Sequence, residues 1–295
     1  MAGRDPRDLV GGKLEPRRAQ RVFRRVDVRC FVHLRAFPSV VPWIRSAAPP
    51  DPEEQRVSAE PLRIDVTGPV GLVEIRRPDR RNAIDAATAA RLVEAVARLD
   101  ADPAVSAIVL CGQGGDLSSG ADMAEPAPDP ADVPWRQTPH ARLLRAVRTS
   151  ALPVVAAVEG WALGLGVGLV GASTYAVAGA SARFGLPEAQ FGFFPMGAAP
   201  NVVRRVRPDV VLRWALTGRR FGAAEAAAHA LVTDVVPAGE ALTAARELAA
   251  GLGSAPRHVV TAGMAWLRQW AGHAVGPLDD WSEEHMTFAE PPPEE

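Results

Sequence analysis

PVVAAVEGWALGLGVGLVGASTYAVAGASARFGLPEAQFGFFP, residues 153–195, is the stretch on which the fold of this chain turns. Val154–Val158 is a short unbroken apolar run, the pattern of a strand buried on both faces of a parallel sheet. After Gly160 comes an apolar, Gly/Ala-rich helix, then YAVAGA as a further strand, then a turn at Gly185-Leu186-Pro187. Gly166, Gly168 and Gly171 also spell GxGxxG, with Glu188 about twenty residues on, the outline of a dinucleotide fingerprint. Its context is wrong in two respects. Trp161–Leu165 intervenes between the strand and the first glycine, and Glu188 follows a turn where the fingerprint's acid ends a strand. Close packing of a helix against its neighbours is the simpler use for these glycines.

The same alternation extends outward. LRIDV and GLVEI, after Leu62, are short strand patterns separated by Thr67-Gly68-Pro69, a turn signal. AATAARLVEAVARLDAD places Leu92, Ala95, Val96 and Leu99 on one helical face, with Asp85 positioned to cap the start. SAIVLCG is a buried-type strand ending in glycines. Residues 122–139 hold Pro126, Pro128, Pro130, Pro134 and Pro139 without helical periodicity and predict a long loop, a common place for function. Strands and helices alternate from Leu62, and helices continue to about Trp270, so the class is α/β with a helical C-terminal part.

Composition bounds the function. The 295 residues hold 33 Lys+Arg against 34 Asp+Glu, which argues against nucleic acid as the main partner. No apolar run reaches the length of a membrane span. Cys30 and Cys111 are the only cysteines, too few for a disulfide framework, and no metal-ligand spacing occurs. A cytoplasmic location is the matching expectation. The charge is unevenly spread: residues 1–50 carry ten arginines and Lys13 against four acids, leaving a net −8 on the other 245. Together with the Pro- and acid-rich AAPPDPEEQ, this predicts a disordered basic extension over 1–56, a core over 57–250 and a helical segment over 251–295. Val57 is a plausible start if its codon is an alternative initiator.

Three segments carry the chemistry: Arg77-Pro-Asp-Arg-Arg-Asn-Ala-Ile-Asp85, Leu117-Ser-Ser-Gly-Ala-Asp-Met123, and the stretch from Pro153 to Pro195. In this order and at these spacings they resemble the crotonase superfamily, the enoyl-CoA hydratase/isomerase proteins, over about Val57 to Trp270. The resemblance implies a crotonase-like ββα spiral core acting on an acyl-CoA thioester, with no cofactor beyond the CoA of the substrate, and a homotrimer or hexamer. It places the two backbone N–H donors of an oxyanion hole at Ala121 and Leu165, and Leu165 stands where the family has glycine. Such a donor is typically worth ~3 kcal/mol of barrier. Arg80, Arg81 and Ala83 fall on the loop that receives the adenine and phosphates of CoA; without the other motifs the arginines would read as a solvated turn.

Proton chemistry separates the subclasses. Hydratases of the family use two glutamates. The second matches Glu188, and the first falls on Gly168, which can do no acid–base work. Ser173-Thr174 replaces the family's Cys/Asp-like pair a few residues on. A single carboxylate above an oxyanion hole suffices to move a proton between two carbons, the logic of the Δ3,Δ2-enoyl-CoA isomerases. Phe184, Leu186 and Phe191 are placed to desolvate Glu188 and raise its basicity; a structural salt-bridge or helix-end role is its other reading. The alternatives for the whole chain are a hydratase or related lyase with a substitute for the lost glutamate, and a non-catalytic acyl-CoA-binding protein. Asp122 is expected to shape the oxyanion loop or cap a helix. His140, Trp135 and Trp161 are weaker candidates for the acyl pocket, each also explained by ordinary surface or core placement. The chain ends at FAEPPPEE, short of the family's last CoA-covering helix, so an incomplete cover is expected.

Overall fold

The computed structural model describes residues 60–125 and 133–269. The basic stretch 1–56, Pro126, Pro128, Pro130 and the sequence after Gln269 lie outside the described residues. Strands β1 (Leu62–Thr67) and β2 (Val70–Ile75) form an antiparallel hairpin across Gly68, whose φ of +56° suits glycine. From β2 the sheet continues in parallel through β3 (Ala107–Gly112), β4 (Val154–Val158), β6 (Tyr175–Gly179) and β9 (Asp234–Val236). The strands left out of that order, β5 (Trp161–Leu163), β7 (Arg183–Gly185) and β8 (Arg220–Gly222), make a small second sheet. Single bridges, Ile84 with Ala121 and Ser118 with Ala162, carry this second layer back into the earlier part of the chain.

Each turn of the chain therefore gives one strand to the large sheet, one extended segment to the small layer, and a helix. The helices of the first three turns are α1 (Ala86–Ala101), α2 (Pro139–Thr149) and α3 (Leu165–Ala172). This is the ββα spiral that the motifs predict. Asp85 caps α1 as expected, its Oδ1 accepting from the Thr88 N–H at 2.7 Å, and Leu92, Ala95, Val96 and Leu99 are buried. After Gly160 the chain does not enter a helix at once, contrary to the sequence pattern. Trp161–Leu163 is a strand, tied to Ser118 and β7, and the helix waits until Gly164 has turned the backbone with φ +51°.

Alternation along the strands gives the large sheet two buried faces. Val73, Ile75, Ile108, Leu110, Val154, Ala156 and Val158 join the main core with α1, α2 and α3. Leu72, Val109, Cys111, Val155, Ala157 and Val177 face the other way. The chain continues through α4 (Ala199–Val202), α5 (Pro208–Thr217) and α6 (Ala223–Ala228) to α7 (Ala241–Leu252), which covers that second face with Ala245 and Ala249. Glu159 seats α7 by accepting from the Gly239 and Ala241 N–H groups at 2.7 and 3.1 Å, an anion at a helix start. Residues 257–269 form one more helix, and no helix among the described residues is long and apolar enough to cross a membrane.

Asn82 ties the first two turns of the spiral together. It is fully buried, with φ +54°, a conformation asparagine tolerates better than most residues. Its Oδ1 accepts from the Arg77 N–H at 2.9 Å, and its Nδ2 donates to the carbonyls of Gln113 and Asp116 at 3.0 and 2.6 Å. Replacing it leaves three half-buried backbone groups without their side-chain partner. Asn82→Ala is therefore expected to lower the unfolding free energy by roughly 3 kcal/mol, read as a lower urea midpoint at an unchanged m-value. A shift below about 0.5 kcal/mol would remove Asn82 from this role.

Candidate active site

Three backbone segments meet at the start of α3. The loop after β3 reaches it through Ser118, whose carbonyl accepts from the Leu163 N–H at 3.0 Å. Two residues on, Ile84 donates to the Gly120 carbonyl at 2.9 Å and accepts from the Asp122 N–H at 3.0 Å. A parallel bridge of this kind uses the groups that flank Ala121, so the Ala121 N–H points away from Ile84 and has no partner among the described residues. Leu165 is the first residue of α3, and its N–H is one of the four that a helix start leaves unbonded within the helix. Gly120, with φ +110°, links the two: a methyl there would lie 3.8 Å from Leu165 N and 3.1 Å from Leu163 O. The two backbone donors expected at Ala121 and Leu165 belong to adjoining segments.

Glu188 comes to the same place from β7. It lies in a short 3-10 helix, Pro187–Phe191. A methyl on Gly164 would fall 2.9 Å from Glu188 Oε1, so the carboxyl lies against the turn that starts α3, and Oε2 is buried without a hydrogen-bond partner. Burial pushes the Glu188 carboxyl up to about 7, opposed only by a hydrogen bond from its own backbone. Phe184 and Leu186, just upstream, are fully buried, and Phe191 stacks on Phe193 with 6.4 Å between centroids. The expected desolvation is present.

Gly168 has a packing role. A methyl there would meet Ala198 Cα and Cβ at 3.1 and 3.2 Å and Leu144 Cδ2 at 3.2 Å. Gly166 faces the Ser118 carbonyl, and a methyl at Gly171 would meet the Asn201 backbone at 2.8 Å. All three glycines of the GxGxxG pattern let α3 lie directly against its neighbours, and none opens a phosphate loop.

The arginine turn is more committed than its sequence suggests. Arg81 Nε donates to Asp116 Oδ2 at 2.9 Å, and its guanidinium lies over Trp161, 5.3 Å from the ring centroid. Arg220 lies over the same ring at 5.1 Å, so Trp161 is a platform for cations. Arg80 is exposed and its side chain has no partner among the described residues, whereas Ala83 is buried. Trp135 packs on Gly197 beside the main core, and His140 Nε2 lies 2.9 Å from the Ile84 carbonyl.

Sequence reasoning assigned no role to Arg77. Its Nη2 reaches Asp122 at 2.9 Å and Asp85 at 3.0 Å, and its Nη1 donates to the Ala83 carbonyl at 2.5 Å. Asp122 thus braces the segment next to Ala121, and its other oxygen accepts from the Ala124 N–H. The pairing spans 45 residues, and the signal available beforehand was only the shared motif RPDRRNAID.

Residues 65–274 match the family model for enoyl-CoA hydratase/isomerase. A probable enoyl-CoA hydratase of Mycobacterium tuberculosis is 37% identical over 230 residues, covering 75% of this chain and 85% of the relative. The crystal structure of an enoyl-CoA hydratase from Mycobacterium avium subsp. paratuberculosis aligns with TM-score 0.69 at 28% identity, covering 77% of this chain and 92% of that one. An enoyl-CoA hydratase/isomerase from Marinobacter aquaeolei aligns with TM-score 0.67 at 30% identity, covering 77% and 89%.

The raised Glu188 pKa has a thermodynamic consequence. Folding favours its protonated form, so stability is lost as pH rises from about 4.5 to about 7 and the loss is complete above that. Glu188→Gln is uncharged throughout. It should melt at a higher Tm than the parent at pH 8, with the difference closing by about pH 4. A Tm difference that does not vary with pH would mean that the carboxyl is not desolvated.

Proposed function

Because the chain belongs to the enoyl-CoA hydratase/isomerase family of the crotonase superfamily, it is an acyl-CoA enzyme, and we propose that it isomerises enoyl-CoA thioesters with Glu188 as the one acid–base group. The observation that carries this proposal is the contrast between two positions on one side of α3. Glu188 is a desolvated carboxyl against Gly164, while Gly168 is packed so closely that a side chain there would have to push Ala198 and Leu144 aside.

The proton accounting is simple. The Glu188 carboxylate takes a proton from C2 of a 3-enoyl thioester. The C–H electron pair moves toward the carbonyl, and the Ala121 and Leu165 N–H groups hold the resulting oxyanion at the positive end of α3. Protonated Glu188 then returns the proton to C4, and the double bond comes to rest between C2 and C3. A carboxyl with a pKa near 7 is populated in both forms at neutral pH, which suits an acid and base that are the same group. Arg77 and Asp122 hold the oxyanion loop in position, and exposed Arg80 is the side chain of the turn left open to the phosphates of CoA.

The relatives are named hydratases, so water addition is the competing activity. Both are tested with 3-enoyl-CoA and 2-enoyl-CoA substrates. Glu188→Gln should lower isomerisation about a thousandfold. Hydration that survives Glu188→Gln sinks the proposal, and CoA-ester binding without turnover favours a non-catalytic binder. Gly168→Glu should install no hydration and should cost about 1–3 kcal/mol of stability through overpacking.

The oxyanion donor can be tested separately. Leu165→Pro deletes the N–H at the first helical position, where proline is tolerated. With the circular-dichroism spectrum unchanged, kcat should fall about a hundredfold or more. An unchanged kcat would take Leu165 out of the oxyanion hole.

A further inference from the structure

His140 has no part in the proton chemistry above, yet it is bonded to the segment that supports one oxyanion donor. It is the second residue of α2, and the start of that helix is held on several sides. Thr138 caps it, with Oγ1 accepting from the Ala141 N–H at 3.2 Å and donating to the Trp135 carbonyl at 2.8 Å, and Pro139 takes the first helical position. Leu143, Leu144 and Val147 fix the helix in the main core. From this platform the half-buried His140 ring reaches a carbonyl 56 positions away in the chain, that of Ile84, with Nε2 2.9 Å from the oxygen. A carbonyl only accepts, so Nε2 carries the hydrogen and donates it.

Ile84 is where that bond acts. It is fully buried and is the bridge partner of Ala121. Its N–H donates to the Gly120 carbonyl at 2.9 Å, and its carbonyl accepts from the Asp122 N–H at 3.0 Å. His140 is the second donor to that oxygen, so both of its lone pairs are used. Ala121 lies between the two bridge bonds, and any tilt of the Ile84 peptide passes to the Ala121 N–H. Arg77 and Asp122 brace the same loop through their side chains, whereas His140 acts on the backbone of the bridge itself.

We infer that His140 is a positioning residue for the oxyanion hole, setting the Ala121 N–H through the Ile84 peptide and tying it to the frame of α2. The inference rests on the acyl-CoA reading of the site and adds to it a side chain that acts through another residue. Backbone donors contribute most when they are in place before charge develops, and a small misplacement of the reacting groups already costs rate. The hole is used most in the transition state, so the loss should fall on kcat rather than on KM.

The test compares His140→Ala, His140→Gln and His140→Asn in the full chain. Glutamine carries its amide nitrogen at the reach of Nε2, and asparagine stops at the reach of Nδ1. His140→Ala should lower kcat for 3-enoyl-CoA isomerisation about tenfold and leave KM within about twofold. His140→Gln should restore the rate and His140→Asn should not. A second readout needs no turnover. The thioester carbonyl band of bound butyryl-CoA, labelled with carbon-13, should lie at lower frequency than in water, and His140→Ala should reduce that shift while His140→Gln keeps it. The inference is overturned by an unchanged kcat and carbonyl shift in His140→Ala, by a loss confined to KM or Tm, or by glutamine behaving as asparagine does. If the parent polarises the carbonyl without isomerising, the Glu188 proposal fails and the carbonyl shifts alone decide on His140. A parent with no carbonyl shift overturns the inference as well, because there is then no hole to position. Should alanine unfold the chain by circular dichroism, the contrast between glutamine and asparagine decides.

Discussion

The contact between α3 and the segments around it sets the rest of the site. Gly164, Gly166, Gly168 and Gly171 strip the helix and its approach of side chains on the faces that meet Glu188, Ser118, Ala198 and Asn201. Backbone can then lie on backbone, and the distance between the Leu165 N–H and the Ala121 segment follows from that contact rather than from side-chain conformations. Donors held this way need no rearrangement when charge develops on a substrate, the situation in which a hydrogen bond contributes most to lowering a barrier. The same contact bears on the acids: a side chain at Gly168 would have to displace Ala198 and Leu144 by a few tenths of an ångström, while the carboxyl of Glu188 lies against Gly164.

A second constraint is polar and joins the turns of the spiral. Asn82 is held in a left-handed conformation and satisfies three backbone groups, and Arg77 satisfies two carboxylates and a carbonyl. Both residues come from the motif after β2, and both act on the loop after β3. The effect is that the loop carrying Ala121 is braced from its outer side, by groups that a substrate need not touch. Charge is spent locally across the candidate site, with Arg81 given to Asp116 and Trp161.

Much of this was legible in the chain because it depends on neighbours in sequence. The strands after Leu62 announce themselves by apolar runs between turn residues, and α1 by its cap at Asp85 and its buried stripe. The order of the glycine and arginine motifs carried the family resemblance, and the surroundings of Glu188 carried its desolvation. The pattern went astray at Trp161–Leu163, an apolar segment of three residues before a glycine-rich helix. Such a segment has no period to read. Its strand identity comes from hydrogen bonds to Ser118 and to β7, partners at distant positions in the chain.

By itself, then, the sequence determined the α/β class, the cap at Asp85 and the close-packing glycines. These follow from local sterics, periodicity and residue chemistry. Only the tertiary structure decided that Arg81 is engaged by Asp116, that Arg77 braces Asp122, and that Gly168 packs closely on Ala198 and Leu144. It also decided that His140, from the start of α2, meets the Ile84 carbonyl. Each of these depends on long-range pairing: whether a charge meets an acid or a carbonyl, and whether a glycine faces space or a methyl, is settled by elements that the chain brings together only on folding.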